Sequence, residues 1–293
     1  MKTLLVLLVV KASQSTRERS LRNMGWWSYK VEEFVWDHTD IYTAAGRRWS
    51  AYDLVFIEDV SKGVDLRKLG MPVVYHSIDD TLSEGHLNQR VKQAGMADLT
   101  LVDHGQLNRF KSACGKARRF NYCVNDQICK PLEKEIDVAY HCGSGESRNY
   151  PGGKERNELR RTLDCICKHN DWSYRSGVMG FPEYTKSMGR ARVVVNWPRT
   201  VNNRPHRVMD AMACGAALLT GPIPMVEGDG FVEGVHYESF RTELELETKL
   251  DELLRWQNWE GTAQAGHELV MERHTWQVRA RELRQMLNEE LGL

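Results

Sequence analysis

Residues 202–220 read Asn202-Asn203-Arg204-Pro205-His206-Arg207-Val208-Met209-Asp210-Ala211-Met212-Ala213-Cys214-Gly215-Ala216-Ala217-Leu218-Leu219-Thr220. A polar loop runs into a proline suited to the first helical position, whose missing N–H costs nothing there. A short helix follows, then a glycine stop and a continuous apolar strand. Small residues at 211, 213, 215, 216 and 217 let the helix lie close on a sheet. Arg204, His206 and Arg207 gather positive charge at the helix N-terminus, where free N–H groups and the positive dipole end already favour an anion. Asp210 stands one turn along from Arg207, where a carboxylate can accept bonds from a ribose diol. The plain alternative is an i, i+3 surface ion pair on an ordinary helix.

Outward from this stretch the chain alternates short apolar strands with helical patterns. Strands are expected at Leu4–Val10, Lys30–Trp36, Asp53–Ile57, Val73–His76, Leu99–Val102 and Phe120–Val124. A second set covers Ile136–His141, Trp172–Arg175, Arg192–Asn196 and Ala216–Thr220. Helices are expected at Leu87–Gly95, Gln106–Cys114, Glu155–His169, Glu183–Gly189 and Pro205–Cys214, with helical sequence from Thr242 onward. Continuous apolar strands alternating with helices imply parallel sheets covered on both faces. The polar segment Asn125–Glu135, with Pro131, marks a boundary. The expected organisation is an N-terminal Rossmann-like domain at 1–134, a second at 135–275, and a C-terminal helical piece at 276–293 that packs back on the first. Ligands of such sheets sit beyond the carboxyl ends of the strands.

The chain has 293 residues, 41% hydrophobic and 27% charged, which excludes wholesale disorder and fibrous classes. Lys plus Arg and Asp plus Glu balance at 40 each, so no global field draws it to a polyanion or a membrane. The first 134 residues carry 20 basic and 16 acidic side chains and the remainder 20 and 24, a modest dipole. Seven cysteines without a CxxC or zinc spacing fit reduced thiols in a cytoplasmic protein. Leu4–Val10 has some look of a signal peptide, but its short, β-branched run suits a buried strand better. No apolar run is long enough for a spanning helix.

A second ligand-facing turn is expected where the strand Ile136–His141 runs through Cys142 into Gly143-Ser144-Gly145. Glycines there let backbone approach a ligand closely, although the full dinucleotide fingerprint is absent and a flexible loop reads as well.

From Glu183 to about Leu254 the sequence resembles the C-terminal domain of GT-B glycosyltransferases, in particular the spore maturation protein CgeB-like group. The matching residues are Tyr184 and Met188-Gly189-Arg190-Ala191-Arg192-Val193-Val194-Val195-Asn196. They continue through Asn203-Arg204-Pro205, Arg207-Val208-Met209-Asp210-Ala211-Met212-Ala213-Cys214-Gly215-Ala216, a loop with Gly228 and Gly230, Val235-His236-Tyr237, and His274-Thr275-Trp276 with Arg279. The resemblance implies an α/β GT-B fold, two doubly wound Rossmann-like domains facing across a cleft. It implies a metal-independent transferase of hexosyl or pentosyl groups whose co-substrate is a nucleotide sugar, UDP-sugar first, with no tightly bound cofactor. Many such enzymes carry two glutamates with seven positions between them; here those places hold Asn202 and Asp210, which leaves retaining or inverting chemistry open.

On that reading, Arg207 with Arg204 or His206 neutralises the leaving diphosphate. Asp210 holds the ribose, and Asn202, Asn203, Gly143, Ser144 and the loop containing Pro224 complete the donor site. Lys154 or Arg156 is a weaker choice for the phosphates. No metal ligand set is expected. An inverting reaction needs a base from the N-terminal half, and Asp79 or Asp80, then His76, follow an apolar strand toward the cleft. Asp79-Asp80-Thr81 could equally turn the chain or cap a helix.

Arg17, Arg19, Arg22, Trp26 and Trp27 interleave basic and aromatic side chains, a pattern suited to a phosphate backbone and an extruded base. The resemblance to GT-B enzymes, some of which use DNA carrying hydroxymethylated pyrimidines, makes those bases the acceptor expectation, with saccharide, protein or small-molecule acceptors as alternatives. A solvated helix face with core tryptophans explains the same pattern. A non-catalytic nucleotide or sugar-phosphate binder, and a nucleotide-sugar epimerase, stay open on the same architecture.

Overall fold

The computed structural model describes residues 2–10, 32–40, 48–58, 65, 68–77, 84–103, 105–121, 123–142, 153–198, 205–223, 229–256 and 258–293. They fall into two compact units, residues 1–123 with 276–293, and residues 124–275.

The first unit holds a six-stranded sheet of β1 (Leu4–Val10), β2 (Phe34–Asp40), β3 (Leu54–Glu58), β4 (Val73–Ser77), β5 (Leu99–Val102) and β6 (Ala117–Arg119). Its order is β2-β1-β3-β4-β5-β6, and every recorded pairing is parallel. All residues of β3, β4 and β5 are buried, as strands covered on both faces must be. Helices α1 (Glu84–Ala94) and α2 (Leu107–Cys114) pack here through Leu87, Ala94 and Phe110. The last strand is not the expected Phe120–Val124. Hydrogen bonding to β5 is made by Ala117–Arg119, and Phe120 supplies buried bulk just after it.

The second unit holds β7 (Ile136–Tyr140), β8 (Tyr174–Ser176), β9 (Ala191–Asn196), β10 (Ala217–Thr220) and the short β11 (Glu238–Ser239), in the order β11-β10-β9-β7-β8. Its helices are α3 (Gly153–His169), α4 (Phe181–Arg190), α5 (Arg207–Ala213), α6 (Glu243–Leu254) and α7 (Trp259–Arg273). Leu159, Leu163 and Ile166 of α3 and Leu246, Leu250 and Leu253 of α6 bury against Val138, Val193, Val195, Ala217 and Leu219 of the sheet. At the start of α6 the Thr242 side chain accepts from the Glu245 backbone N–H, the cap its sequence prepares. Residues 124–134 belong to this unit; Val124 N–H donates to His274 O.

Both sheets share one winding. The first strand of each lies between the second and the third, so chain direction across the sheet reverses there. In the second unit this switch falls between β7 and β9, where an open parallel sheet offers a crevice at its carboxyl edge. The last helix, α8 (Trp276–Leu291), belongs to the first unit: Trp276 is fully buried and its ring lies 5.9 Å from that of Trp36.

Candidate functional site

The carboxyl edge at β7 and β9 carries a continuous layer of polar side chains. The apolar runs Val138-Ala139-Tyr140 and Val193-Val194-Val195 end in His141 and Asn196, both buried. Asn196 is an anchor. Its Nδ2 donates to Thr220 Oγ1 at 2.9 Å, and its Oδ1 accepts from Arg207 Nε at 3.2 Å. Among the described residues this bond engages only Nε, which leaves the terminal nitrogens of the guanidinium fork for a ligand. The ends of β9 and β10 are drawn tight beside it. Gly221 N–H donates to Asn196 O, and a Cβ on Gly221 would meet the Trp197 ring at 2.5 Å, so only glycine fits.

Helix α5 begins at Arg207, two residues later than the sequence predicts. Pro205 O accepts from Val208 N–H and His206 O from Asp210 N–H, so Pro205 opens a turn ahead of the helix and His206 takes the flanking position. The glycine stop falls where expected: Gly215 has φ +66° and packs against Pro131, 2.9 Å from where a Cβ would stand.

Asp210 points into the protein and is 9% exposed. Its Oδ2 accepts from the Tyr184 hydroxyl of α4 at 2.9 Å, and its Oδ1 lies 4.0 Å from Cys129 Sγ. Burial drives the Asp210 carboxyl up to about 7, against the opposing pull of the Tyr184 hydroxyl and the Arg207 guanidinium. Burial, then the neighbouring Asp210, pushes Tyr184 well above its ordinary value, so it stays a donor.

His141 completes the layer. Its Nδ1 faces Gly177 O at 3.3 Å and its Nε2 faces Ser187 Oγ at 2.9 Å. The carbonyl can only accept, so Nδ1 carries the proton and Nε2 accepts from the serine. Burial holds His141 down to about 4, with Arg207 and Arg175 also disfavouring a charge. The Tyr184 ring stands edge-on to it at 5.9 Å. On α3, Arg156 is buried and donates to Trp197 O, and Arg160 donates to Cys142 O at 2.8 Å. Lys154 is exposed and pairs with Glu158.

Of the residues singled out in the sequence, Arg207, Asp210 and His206 meet here. His76 lies in the other unit, fully buried, with the rings of Phe56 and Phe120 edge-on at 5.7 and 5.6 Å. Asp79, Asp80, Asn202, Asn203, Arg204, Gly143, Ser144, Pro224, Arg17, Arg19, Arg22, Trp26 and Trp27 lie outside the described residues. Sequence reasoning passed over the roles of Asn196, His141 and Tyr184. The signal for the first two was a polar residue closing a buried apolar run. Tyr184 carried no such mark.

Comparison with known proteins agrees with this architecture. Residues 147–285 match the glycosyl transferase-like family. HepE of Anabaena, solved in complex with UDP and glucose, superposes with a TM-score of 0.69 at 12% identity, over 98% of this chain and 100% of that one. This is a GT-B glycosyltransferase fold. Sucrose-phosphate synthase from Thermosynechococcus elongatus is similar over 98% of both chains at a TM-score of 0.64 and 12% identity. A glycosyltransferase from Rickettsia africae ESF-5 matches over 99% of both at 0.62 and 9%. No curated protein matches in sequence. The family match covers the part of the GT-B chain that contains Tyr184, Asn196, Arg207 and Asp210, and these matches do not single out the CgeB-like group. Among the described residues no helix is long and apolar enough to cross a membrane.

Proposed function

We propose that the protein transfers a sugar from a nucleotide diphosphate sugar, UDP-sugar first, to a hydroxyl acceptor, and that the second unit holds the donor at the β7/β9 edge. The observation that carries this is Arg207, fixed through Asn196 to Thr220 at the switch point with Asp210 one turn along. UDP and UDP-glucose complexes among proteins of the same fold support the choice of donor.

In the transfer, the bond from the sugar's anomeric carbon to the diphosphate oxygen breaks and a bond to the acceptor oxygen forms. Negative charge grows on the departing phosphate. A guanidinium already held in place meets that charge without reorganising, which favours the transition state over the ground state. Arg204 and His206 are proposed to share the diphosphate, and Asp210 to accept from the ribose hydroxyls. The remaining donor contacts fall to Asn202, Asn203, Gly143, Ser144 and Pro224. An inverting course would pass the acceptor's proton to Asp79 or Asp80, with His76 next; a retaining course would not call on them.

The test is UDP titration with donor turnover read by mass. Arg207→Ala should weaken UDP binding by about 30-fold or more, the loss expected when one partner of a buried charge contact is removed, with the fold intact. An Arg207→Ala protein that binds UDP and turns over donor like wild type would remove the assignment. The finer expectation of hydroxymethylated DNA as acceptor rests on Arg17, Arg19, Arg22, Trp26 and Trp27 in the sequence. A panel of UDP-, GDP-, ADP- and TDP-sugars with hydroxymethylated DNA, plain DNA and no acceptor decides it. Transfer only to a non-nucleic hydroxyl would discard that acceptor and keep the donor site.

A further inference from the structure

Tyr184, half-buried on α4, carries a hydroxyl where a phenylalanine would fill the same space. It sits on the second turn of α4, and its ring packs edge-on to His141. A hydroxyl taken out of water is costly unless it is bonded. Here the bond goes to Asp210, the carboxylate assigned above to the donor ribose. A carboxylate in such surroundings has two needs. It must keep one rotamer, and it must keep its charge, because only the ionised form offers acceptors on both oxygens. The Tyr184 hydroxyl serves both. It occupies one lone pair of Oδ2 and leaves the others, and it lowers the cost of the charge.

We propose that Tyr184 is a positioning residue of the donor site, whose hydroxyl holds the Asp210 carboxylate in the orientation and ionised form that a sugar nucleotide's ribose requires. The inference rests on the donor-site reading above.

Among the described residues the groups facing Asp210 are few. On its own helix Arg207 stands one turn before it, and His206 flanks the start of the helix, its carbonyl accepting from Asp210 N–H. From α4 comes Tyr184, and from the segment before β7 the Cys129 thiol, which its contact with Cys214, then burial, keeps protonated. Cys214 lies beside Cys129 at the far end of α5, and Lys134 beyond it donates to Gly215 O. From α7, His267 faces the Met212 and Ala213 carbonyls and not the carboxylate. From the sheet, Asn196 is neutral and bonds Arg207. Among the described residues Asp210 thus changes charge near neutrality, at a pH that Tyr184 and Arg207 set, and Lys134, which burial lowers to about 8, follows at higher pH.

The experiment is UDP affinity by calorimetry across about pH 5.5 to 9 for wild type, Tyr184→Phe, Asp210→Asn, the double variant and Arg207→Ala. Wild-type affinity should fall as pH drops through about 7. Removing the hydroxyl raises the Asp210 pKa, so the Tyr184→Phe midpoint should move to higher pH. Its affinity should be about tenfold weaker at neutrality, the effect of one pKa unit, and should recover toward wild type at the alkaline end. Asp210→Asn should flatten this dependence, and adding Tyr184→Phe to it should change nothing further, because the tyrosine acts through that carboxyl. A Tyr184→Phe protein with the wild-type midpoint and affinity overturns the proposal while loss of UDP binding in Arg207→Ala keeps the donor site. Equal losses from Tyr184→Phe in the wild-type and Asp210→Asn backgrounds overturn it too, by showing a merely structural role. If Arg207→Ala and Asp210→Asn both bind UDP like wild type, the donor reading falls and takes this inference with it.

Discussion

One strand in each unit carries the same dipeptide near its carboxyl end. Tyr75-His76 precedes Ser77, the last residue of β4, and Tyr140 ends β7 with His141 directly after it, each pair following two small or branched apolar residues. Both histidines are buried, yet they live in different chemistry. His76 is edged by Phe56 and Phe120. His141 is bracketed by a carbonyl and a serine hydroxyl, with a tyrosine, an aspartate and an arginine behind it. What a strand-end histidine does is therefore decided by the elements that come to cover it, which lie far away in sequence. Gly177 and Ser187 are 36 and 46 residues from His141.

The contrast can be broken by substitution. His141→Leu leaves the Gly177 carbonyl and the Ser187 hydroxyl without their ring partner, and should cost about 1–3 kcal/mol of unfolding free energy. His76→Leu exchanges a ring set edge-on to Phe56 and Phe120 for a branched chain, and its cost beside that of His141→Leu compares the two surroundings. Denaturant midpoints at fixed slope measure both. The same His76→Leu protein also tests catalysis: donor-to-acceptor turnover down by about 10² to 10⁴ with the fold intact would mark a base, whereas unchanged turnover would remove His76 from the list.

A finer sharpening uses pH. Asp210 titrates near 7 in the folded protein, far above an exposed aspartate, so its contribution to stability is present at low pH and lost as pH rises from about 4 through about 7. His141 titrates near 4, below its ordinary 6.5, so its contribution is present above about 6.5 and lost as pH falls toward 4. The two slopes oppose each other over the same interval. Relative to wild type, Asp210→Asn should gain stability as pH rises from 4 to 7, and His141→Gln should lose it. Unfolding midpoints at several pH values read the sign; parallel curves for all three proteins would mean that neither side chain is buried as described.

Much of the fold was legible from period alone. Leu4–Val10 and Leu99–Val102 match the observed strands residue for residue, and the helix, glycine stop and strand at 205–220 follow in the expected order, with the helix beginning two residues later and ending one earlier and the strand beginning one later. Apolar runs announce buried parallel strands because both faces must be dry. Short pieces escaped: β11 is two polar residues that pair only because Phe240 and α6 follow, and β6 is Ala-Arg-Arg, with nothing apolar to betray it beyond one alanine. At the site, Arg207 and Asp210 were legible because charge clustered beside small residues and a glycine stop. Tyr184 was not, because a tyrosine in an amphipathic helix reads as core. Only its distance to Asp210 gives its hydroxyl a task.

The chain's last helix closes the unit that its first strand opens. Arg284 donates to Lys2 O, Lys116 to Glu290 O, and Arg118 pairs with Glu290, while Trp276 completes the core beside Trp36. Residues 124–275 thus hold their unit's residues in one unbroken stretch, whereas the first unit lacks part of its covering until residues 276–293 have been made.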